Sequence, residues 1–287
     1  MRDLNYLLKG LQDKNRDGSF STRAARAAVL NQIANTLHDL GYRRMNPNSL
    51  KQKHVSALVQ HWVGKGLSAG TVKNRMAHLR WWAHKVGKPA VIARDNGAYA
   101  IPQRQYVTNT DKSRTLDERL QKITDHHVRM SVRLQAAFGL RREEAIKFIP
   151  HFADRGDRIV LKSTWTKGGK EREIPVRTQD QRTLLDEARL FAGRGAMIPA
   201  NKNYIEQLRT YERNLSNAGL DKLHGLRHAY AQTRYQELTG WPCPIKGGKS
   251  GRAMTPQERD ADQLARQTIS RELGHERLDI VAVYCGK

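Results

Sequence analysis

His224 and Arg227 stand three apart in the run Leu223-His224-Gly225-Leu226-Arg227-His228-Ala229. At the opening of a helix that spacing puts both side chains on one face, where they can share an anion. Other residues of matching chemistry lie upstream, in Gly139-Leu140-Arg141-Arg142-Glu143-Glu144 and in the Lys-rich turn Thr166-Lys167-Gly168-Gly169-Lys170-Glu171-Arg172. Leu273-Gly274-His275 and Tyr284 follow downstream. Two arginines, a lysine, two histidines and a late tyrosine make a set suited to attacking a phosphodiester with a phenol.

The chemistry explains the residue types. A phosphodiester repels nucleophiles, and its transition state adds charge to the non-bridging oxygens. Arginine answers both, because its planar fork donates two parallel hydrogen bonds and keeps its charge. Arg141 and Arg227 can clamp the phosphate from two sides. Lys167, at the tip of a Gly-Gly turn, can protonate the leaving 5′-oxygen, with Lys170 as the competing choice. His224 and His275 can donate to phosphoryl oxygens or help move the phenol proton. Tyr284 as nucleophile would store the bond energy in a 3′-phosphotyrosyl intermediate. Tyr230 and Tyr235 are the alternative phenols, but they share the helix of Arg227 and read as packing residues.

Composition supplies the partner. The chain carries 51 basic and 28 acidic residues, a net charge of +23, and its pI is near 10.4. Such a field draws polyanions and speeds their encounter, and RNA, DNA and an anionic membrane surface all fit at this level. No apolar run reaches the ~18 residues of a spanning helix, and the N-terminus has no secretory segment. Cys243 and Cys285 offer neither a disulfide framework nor zinc-ligand spacing, which fits a reducing cytoplasm and chemistry without a metal.

The elements that position these residues divide into two units. Residues 1–90 read as a helical module. Ser21 or Thr22 caps a helix with Ala25, Val29, Ile33 and Leu37 inward; Asn48 or Ser49 caps one with Val55, Leu58 and Trp62; Ser68 caps one with Val72, Met76, Leu79 and Trp82. Arg23, Arg26, Lys51, Lys53, Lys73, Arg75 and Arg80 decorate the other faces. Of the adjacent Trp81 and Trp82, one belongs to the core and the other to a surface contact. Residues 91–112, broken by Gly97 and Pro102, read as a linker. Residues 113–287 read as a mixed unit, with a short helix over 116–123 and a buried helix ending at Gly139. A β-hairpin over 158–162 and 171–176 follows, then helices over 178–192, 201–218, 224–238, 258–273 and 276–284. The fold class is mostly α with a small β-sheet (α+β).

As a set, these segments resemble the tyrosine recombinases, or phage integrases. The order Arg, Lys, His-x-x-Arg, His, Tyr matches the family's catalytic set, and the motifs cover about 139–284. The resemblance implies that Arg141 and Arg227 bind phosphate, Lys167 is the hairpin lysine and Tyr284 the nucleophile. It places His224 and His275 at the two histidine positions and makes Glu144 a supporting acidic residue. It further implies a core-binding domain and a catalytic domain closing as a C-shaped clamp on double-stranded DNA, with no cofactor. Expected partners are three further copies in a tetramer on synapsed DNA, from a monomer in solution, with accessory DNA-bending or directionality proteins. The expected setting is a bacterial or phage-encoded cytoplasmic protein that integrates or excises a mobile element. A type IB topoisomerase-like nicking-closing enzyme and a non-cleaving regulator of the same fold are the alternatives. Two departures stand out. Trp241–Thr268 is longer than the compact family pattern, and the sequence stops three residues after Tyr284. The second leads to the expectation that Tyr284 is loosely held until DNA binds.

Overall fold

The computed structural model describes residues 3–275 and 277–287. It divides into a unit of residues Met1–Gln105 and a unit of residues Tyr106–Lys287.

The first unit is built on helices α1 (Asp3–Lys14), α2 (Phe20–Asp39), α3 (Gln52–Gly64) and α4 (Ala69–Lys85). Ser19 and Ser68 cap α2 and α4, each accepting a backbone N–H from three residues ahead. The buried stripe of α2 is Arg26, Leu30, Ile33, Ala34 and Leu37: Ile33 and Leu37 are inward as expected, while Arg26 and Leu30 take the inner places expected of Ala25 and Val29. The reason is Arg26. Its guanidinium stacks 4.2 Å from the Trp81 ring and donates to the Asp17 carbonyl at 3.2 Å, so it lies on the inner side instead of decorating the surface. Trp82 fills the core, fully buried beside Trp62, and Trp81 ties down Asp17 through its indole N–H at 2.7 Å. Ile92 and Ile101 are also buried in this core. The stretch read as a linker thus begins as part of the first unit.

The second unit runs through α5 (His126–Phe138), α6 (Arg142–Ile146), α7 (Pro150–Ala153), β1 (Arg158–Leu161), β2 (Arg172–Pro175) and α8 (Gln179–Ala192). It continues with α9 (Tyr204–Asn217), α10 (His224–Thr239), α11 (Pro256–Glu272) and α12 (Ala282–Cys285). β1 and β2 pair antiparallel, with Arg158 opposite Pro175 and Leu161 opposite Arg172. The helix starts follow local chemistry: Thr178, Asn203 and Thr255 each form a reciprocal capping box with the Gln or Glu three residues on. The helix expected over 116–123 is a 3-10 segment, Glu118–Lys122, too short to propagate. That expected over 276–284 is a 3-10 turn, Leu278–Ile280, followed by α12; residue 276 lies outside the described residues.

Helix α10 organises this unit. It packs on α5, α11 and α12, and sends Tyr230, Ala231 and Tyr235 into one core and Leu226 into another. The end of the expected linker is bound to it: Arg114 donates its N–H to the Gly225 carbonyl at 3.0 Å. A Cβ at Gly225 would lie 2.6 Å from the Lys112 carbonyl oxygen, so only glycine admits this approach. Among the described residues no helix is long and apolar enough to cross a membrane.

Candidate active site

A cavity of about 1190 Å³ opens on the second unit, and Arg141, Lys167, Arg172, His224, His275 and Tyr284 are among the residues lining it. Each arrives from a different element. Gly139 ends α5 in the left-handed conformation (φ 60°), and the chain turns so that Arg141 becomes the cap residue of α6. Glu144, one turn on, is fully buried and accepts the Arg141 backbone N–H at 2.6 Å and its Nη1 at 2.8 Å. Burial alone would raise the Glu144 pKa. The hydrogen bonds and charge of Arg172, then the charges of Arg227 and Arg141, hold it instead at about 2.

Lys167 lies exposed in the loop joining β1 to β2, where Gly168 and Gly169 take left-handed backbone (φ 94° and 68°). The Thr166 hydroxyl donates to the Lys170 carbonyl at 2.6 Å and closes this turn. Lys170 lines the same cavity, so geometry leaves both lysines in reach of it.

His224 opens α10, and Arg227 sits one turn along it. Arg227 is 1% exposed and is not among the cavity-lining residues. Its Nη1 donates to the Gly139 carbonyl at 2.5 Å and its Nη2 to the Leu273 carbonyl. Burial, then the charge of Arg141, brings its pKa down to about 10, so it stays protonated at neutral pH. The expected two-sided clamp is therefore uneven: Arg141 is at the cavity wall, and Arg227 lies in the interior, tying two turns together.

His275 follows Gly274, itself in left-handed backbone (φ 64°) against the Arg172 side chain. Burial, then Arg227, Arg141 and Arg172, pushes the His275 pKa down to about 3, and His224 is lowered by burial, then Arg227 and Arg141. The His275 Nε2 stands 3.2 Å from the Tyr284 hydroxyl. The Tyr284 ring lies edge-on to His228 at 4.7 Å between centroids, and 6.1 Å from His224.

The loose segment expected around Tyr284 is firmly packed. Tyr284 is 5% exposed, Val281 and Cys285 are fully buried, and the Tyr284 carbonyl accepts the Gln232 side-chain N–H at 3.0 Å. The Gly286 carbonyl accepts from Arg266 at 2.9 Å. Part of the unassigned 241–268 stretch forms the seat: Pro244 and Ile245 lie against Gly286, and Cys243 is buried in the same core as Cys285.

Two family models match the sequence: the N-terminal phage integrase model over residues 1–92 and the integrase model over residues 102–233. This chain belongs to the tyrosine recombinase family of phage integrases. The integrase is similar in fold to a lambda integrase tetramer bound to a Holliday junction (15% identity, 94% of this chain and 77% of that chain, TM-score 0.59). It is also similar to the XerH site-specific recombinase bound to palindromic difH substrate (18%, 98% and 80%, 0.56). A third likeness is to the Tn1549 transposon integrase in complex with circular intermediate DNA (13%, 99% and 95%, 0.54). At these identities the likeness is one of fold. No curated protein matches the sequence significantly.

Sequence reasoning passed over three residues of this integrase site. Arg172 stands on β2 facing inward, 8% exposed, where the next inward residue is Ile174. A charged residue on the inner register of a strand is the signal that could have found it. His228 repeats His224 one turn on, and its pKa is lowered to about 4 by burial, then His224 and Lys112. Gln232, one turn further, holds both the Tyr284 carbonyl and Asp111, at 3.0 and 2.9 Å. Tyr230 and Tyr235 are packing residues. Their hydroxyls donate to Glu272 at 2.7 Å and Asp262 at 2.5 Å.

Proposed function

We propose that this recombinase cuts and rejoins double-stranded DNA through a 3′-phosphotyrosyl intermediate on Tyr284, integrating or excising a mobile element. The observation that carries the reading is a cluster of guanidinium groups, Arg141, Arg172 and Arg227, whose charges act on the buried carboxylate Glu144, beside a phenol on a neutral histidine. One carboxylate leaves the cluster with excess positive charge, which a phosphate would offset. Arg141 faces the cavity and would bind the non-bridging oxygens, with the charge of Arg227 behind it.

In the cleavage step the Tyr284 oxygen bonds to phosphorus and the bond from phosphorus to the 5′-oxygen breaks. A bound phosphate would offset the arginine charges that hold the His275 pKa down, so that His275, 3.2 Å from the phenol, accepts its proton while Lys167 delivers one to the leaving oxygen. His224 donates to the phosphoryl group. Attack by a 5′-hydroxyl reverses the sequence, so phosphodiester bonds are conserved and no nucleotide cofactor enters the balance. The net charge of +23 supports duplex DNA as the partner. A tetramer on two synapsed duplexes, by analogy with the lambda integrase assembly, would let strands be exchanged in pairs.

The test is to trap a covalent protein–DNA adduct. Nicked duplexes from a randomised pool lose a short 5′-hydroxyl strand on cleavage, which prevents religation, and sequencing the attached DNA reads out the site. An adduct through a 3′-phosphate on one recurrent sequence is expected. Tight binding without any adduct would overturn the reading in favour of a regulator that does not cut.

A further inference from the structure

We propose that Arg172 is a positioning residue that occupies the Glu144 carboxylate so that Arg141 keeps its outer nitrogens for an anion. This rests on the phosphate-binding role of Arg141 proposed above. The Glu144 carboxylate is fully buried, and its two oxygens take four hydrogen bonds. One oxygen accepts the Arg141 Nη1 at 2.8 Å and the Arg172 Nη1 at 2.8 Å. The other accepts the Arg141 backbone N–H at 2.6 Å and the Arg172 Nη2 at 2.6 Å. Arg172 therefore grips the carboxylate with both arms of its fork, and Arg141 gives it one arm and a main-chain N–H.

The division follows from exposure. The Arg172 side chain is 6% exposed and that of Arg141 is 21% exposed. A fork held flat on a carboxylate has little left to offer a phosphate, whereas Arg141 retains Nε and Nη2. Without Arg172, the buried carboxylate would keep, among the described residues, only Arg141 as a side-chain hydrogen-bond donor. Bidentate pairing is the preferred geometry between these groups, so Arg141 would turn its second arm onto Glu144 and away from the cavity. Arg172 is thus a counter-charge whose removal harms the site through Glu144, and harm that runs through Glu144 should disappear with its charge.

The experiment compares the full-length wild type, R172M, R172K, E144Q and the double variant E144Q/R172M. The first readout is the Arg141 Nε–H resonance in arginine-labelled protein, assigned by its loss in R141A, as inorganic sulfate is added. The second is single-turnover cleavage of the duplex recovered from the trapped adduct. R172M should weaken the sulfate response of Arg141 about tenfold and slow cleavage about 100-fold. R172K, which keeps the charge, should fall between R172M and wild type. The double variant should recover at least tenfold in cleavage over R172M and should also restore the sulfate response of Arg141, which loss of a merely structural ion pair would leave unmoved in folded protein. If R172M does not fold, R172K and the double variant carry the comparison, because neither leaves Glu144 as an uncompensated charge. A double variant no better than R172M overturns the inference, as does, where R172M is lost, a folded double variant whose Arg141 sulfate response stays tenfold or more weaker than wild type. A sulfate response that follows the predicted order in protein that never cleaves DNA would uphold this inference and refute the catalytic reading instead.

Discussion

Tyr284→Phe removes one oxygen atom and leaves the ring in place. The ring's neighbours, His228 at 4.7 Å and His275 at 5.6 Å, lose no packing, and Val281 and Cys285 remain buried on either side. What goes is one hydrogen bond of 3.2 Å to His275. A net bond of this kind contributes about 0.5–1 kcal/mol, so the melting temperature should fall by only about 1–4 °C. Duplex affinity comes mainly from phosphate contacts by basic residues, so it should stay within about twofold. Adduct formation should vanish altogether, because no other phenol among the described residues lines the cavity: Tyr230 and Tyr235 donate to carboxylates, and burial with those carboxylates pushes their pKa values up. The assay is a denaturing gel of the trapped complex beside a binding titration and a thermal melt. An adduct that persists in Tyr284→Phe, or maps to Tyr230 or Tyr235, would refute the assignment. A melting temperature lowered by 10 °C or more would refute the packing argument.

Other outcomes follow from the same geometry. Lys167→Ala should lose about 10²-fold or more in cleavage, and a 5′-bridging sulfur, which leaves without a proton, should restore the rate; equal loss on both substrates would move the acid to Lys170 or a histidine. Affinity should fall with salt at a log–log slope of about −0.9 per phosphate contacted. Separating the units at Gln105 and Tyr106 should leave each half binding weakly; residues 106–287 binding as tightly as the whole chain would exclude a DNA role for the first unit. The His275 and His228 values, about 3 and 4, lie below that of an unfolded histidine, so the unfolded state binds more protons as pH falls. Stability should drop between pH 6.5 and 5 by roughly 1–2 kcal/mol after discounting for partial exposure, before Glu144 begins to titrate. Urea titrations at those pH values check this, and no drop would refute it.

Much of this molecule can be read from local chemistry. The capping residues Ser68, Thr178 and Thr255 and the stop at Gly139 depend on near neighbours, so spacing alone finds their helices. Arg141, Lys167, His224, His275 and Tyr284 stand out the same way, by type and order, and the fold brings them to one cavity. What escaped depends on long-range contact. Arg26 reads as a surface charge until Trp81 is known to lie over it. Arg172 reads as part of a solvated basic turn until strand register turns it toward Glu144. Arg227 stands out by its type and spacing, but its hydrogen bonds to two distant carbonyls are visible only in the fold. The hold on the last residues is likewise long-range: Gln232 bonds Tyr284, and Ile245 and Arg266 meet Gly286, which no pattern near residue 284 announces.

The two carbonyls held by Arg227 belong to residues 88 and 46 positions away along the chain. Contacts at such separations close long loops, and they form only once the intervening helices have docked. The cavity therefore cannot assemble ahead of the second unit, nor survive as a remnant of it. The turns at Gly139 and Leu273 should exchange their amide hydrogens with solvent in the same opening event, because neither is released while the guanidinium stays in place. On the proposed reading, a chain caught part-way through folding would carry the positive charge that gathers DNA but no means of breaking it, and strand cutting would be confined to molecules that have finished folding.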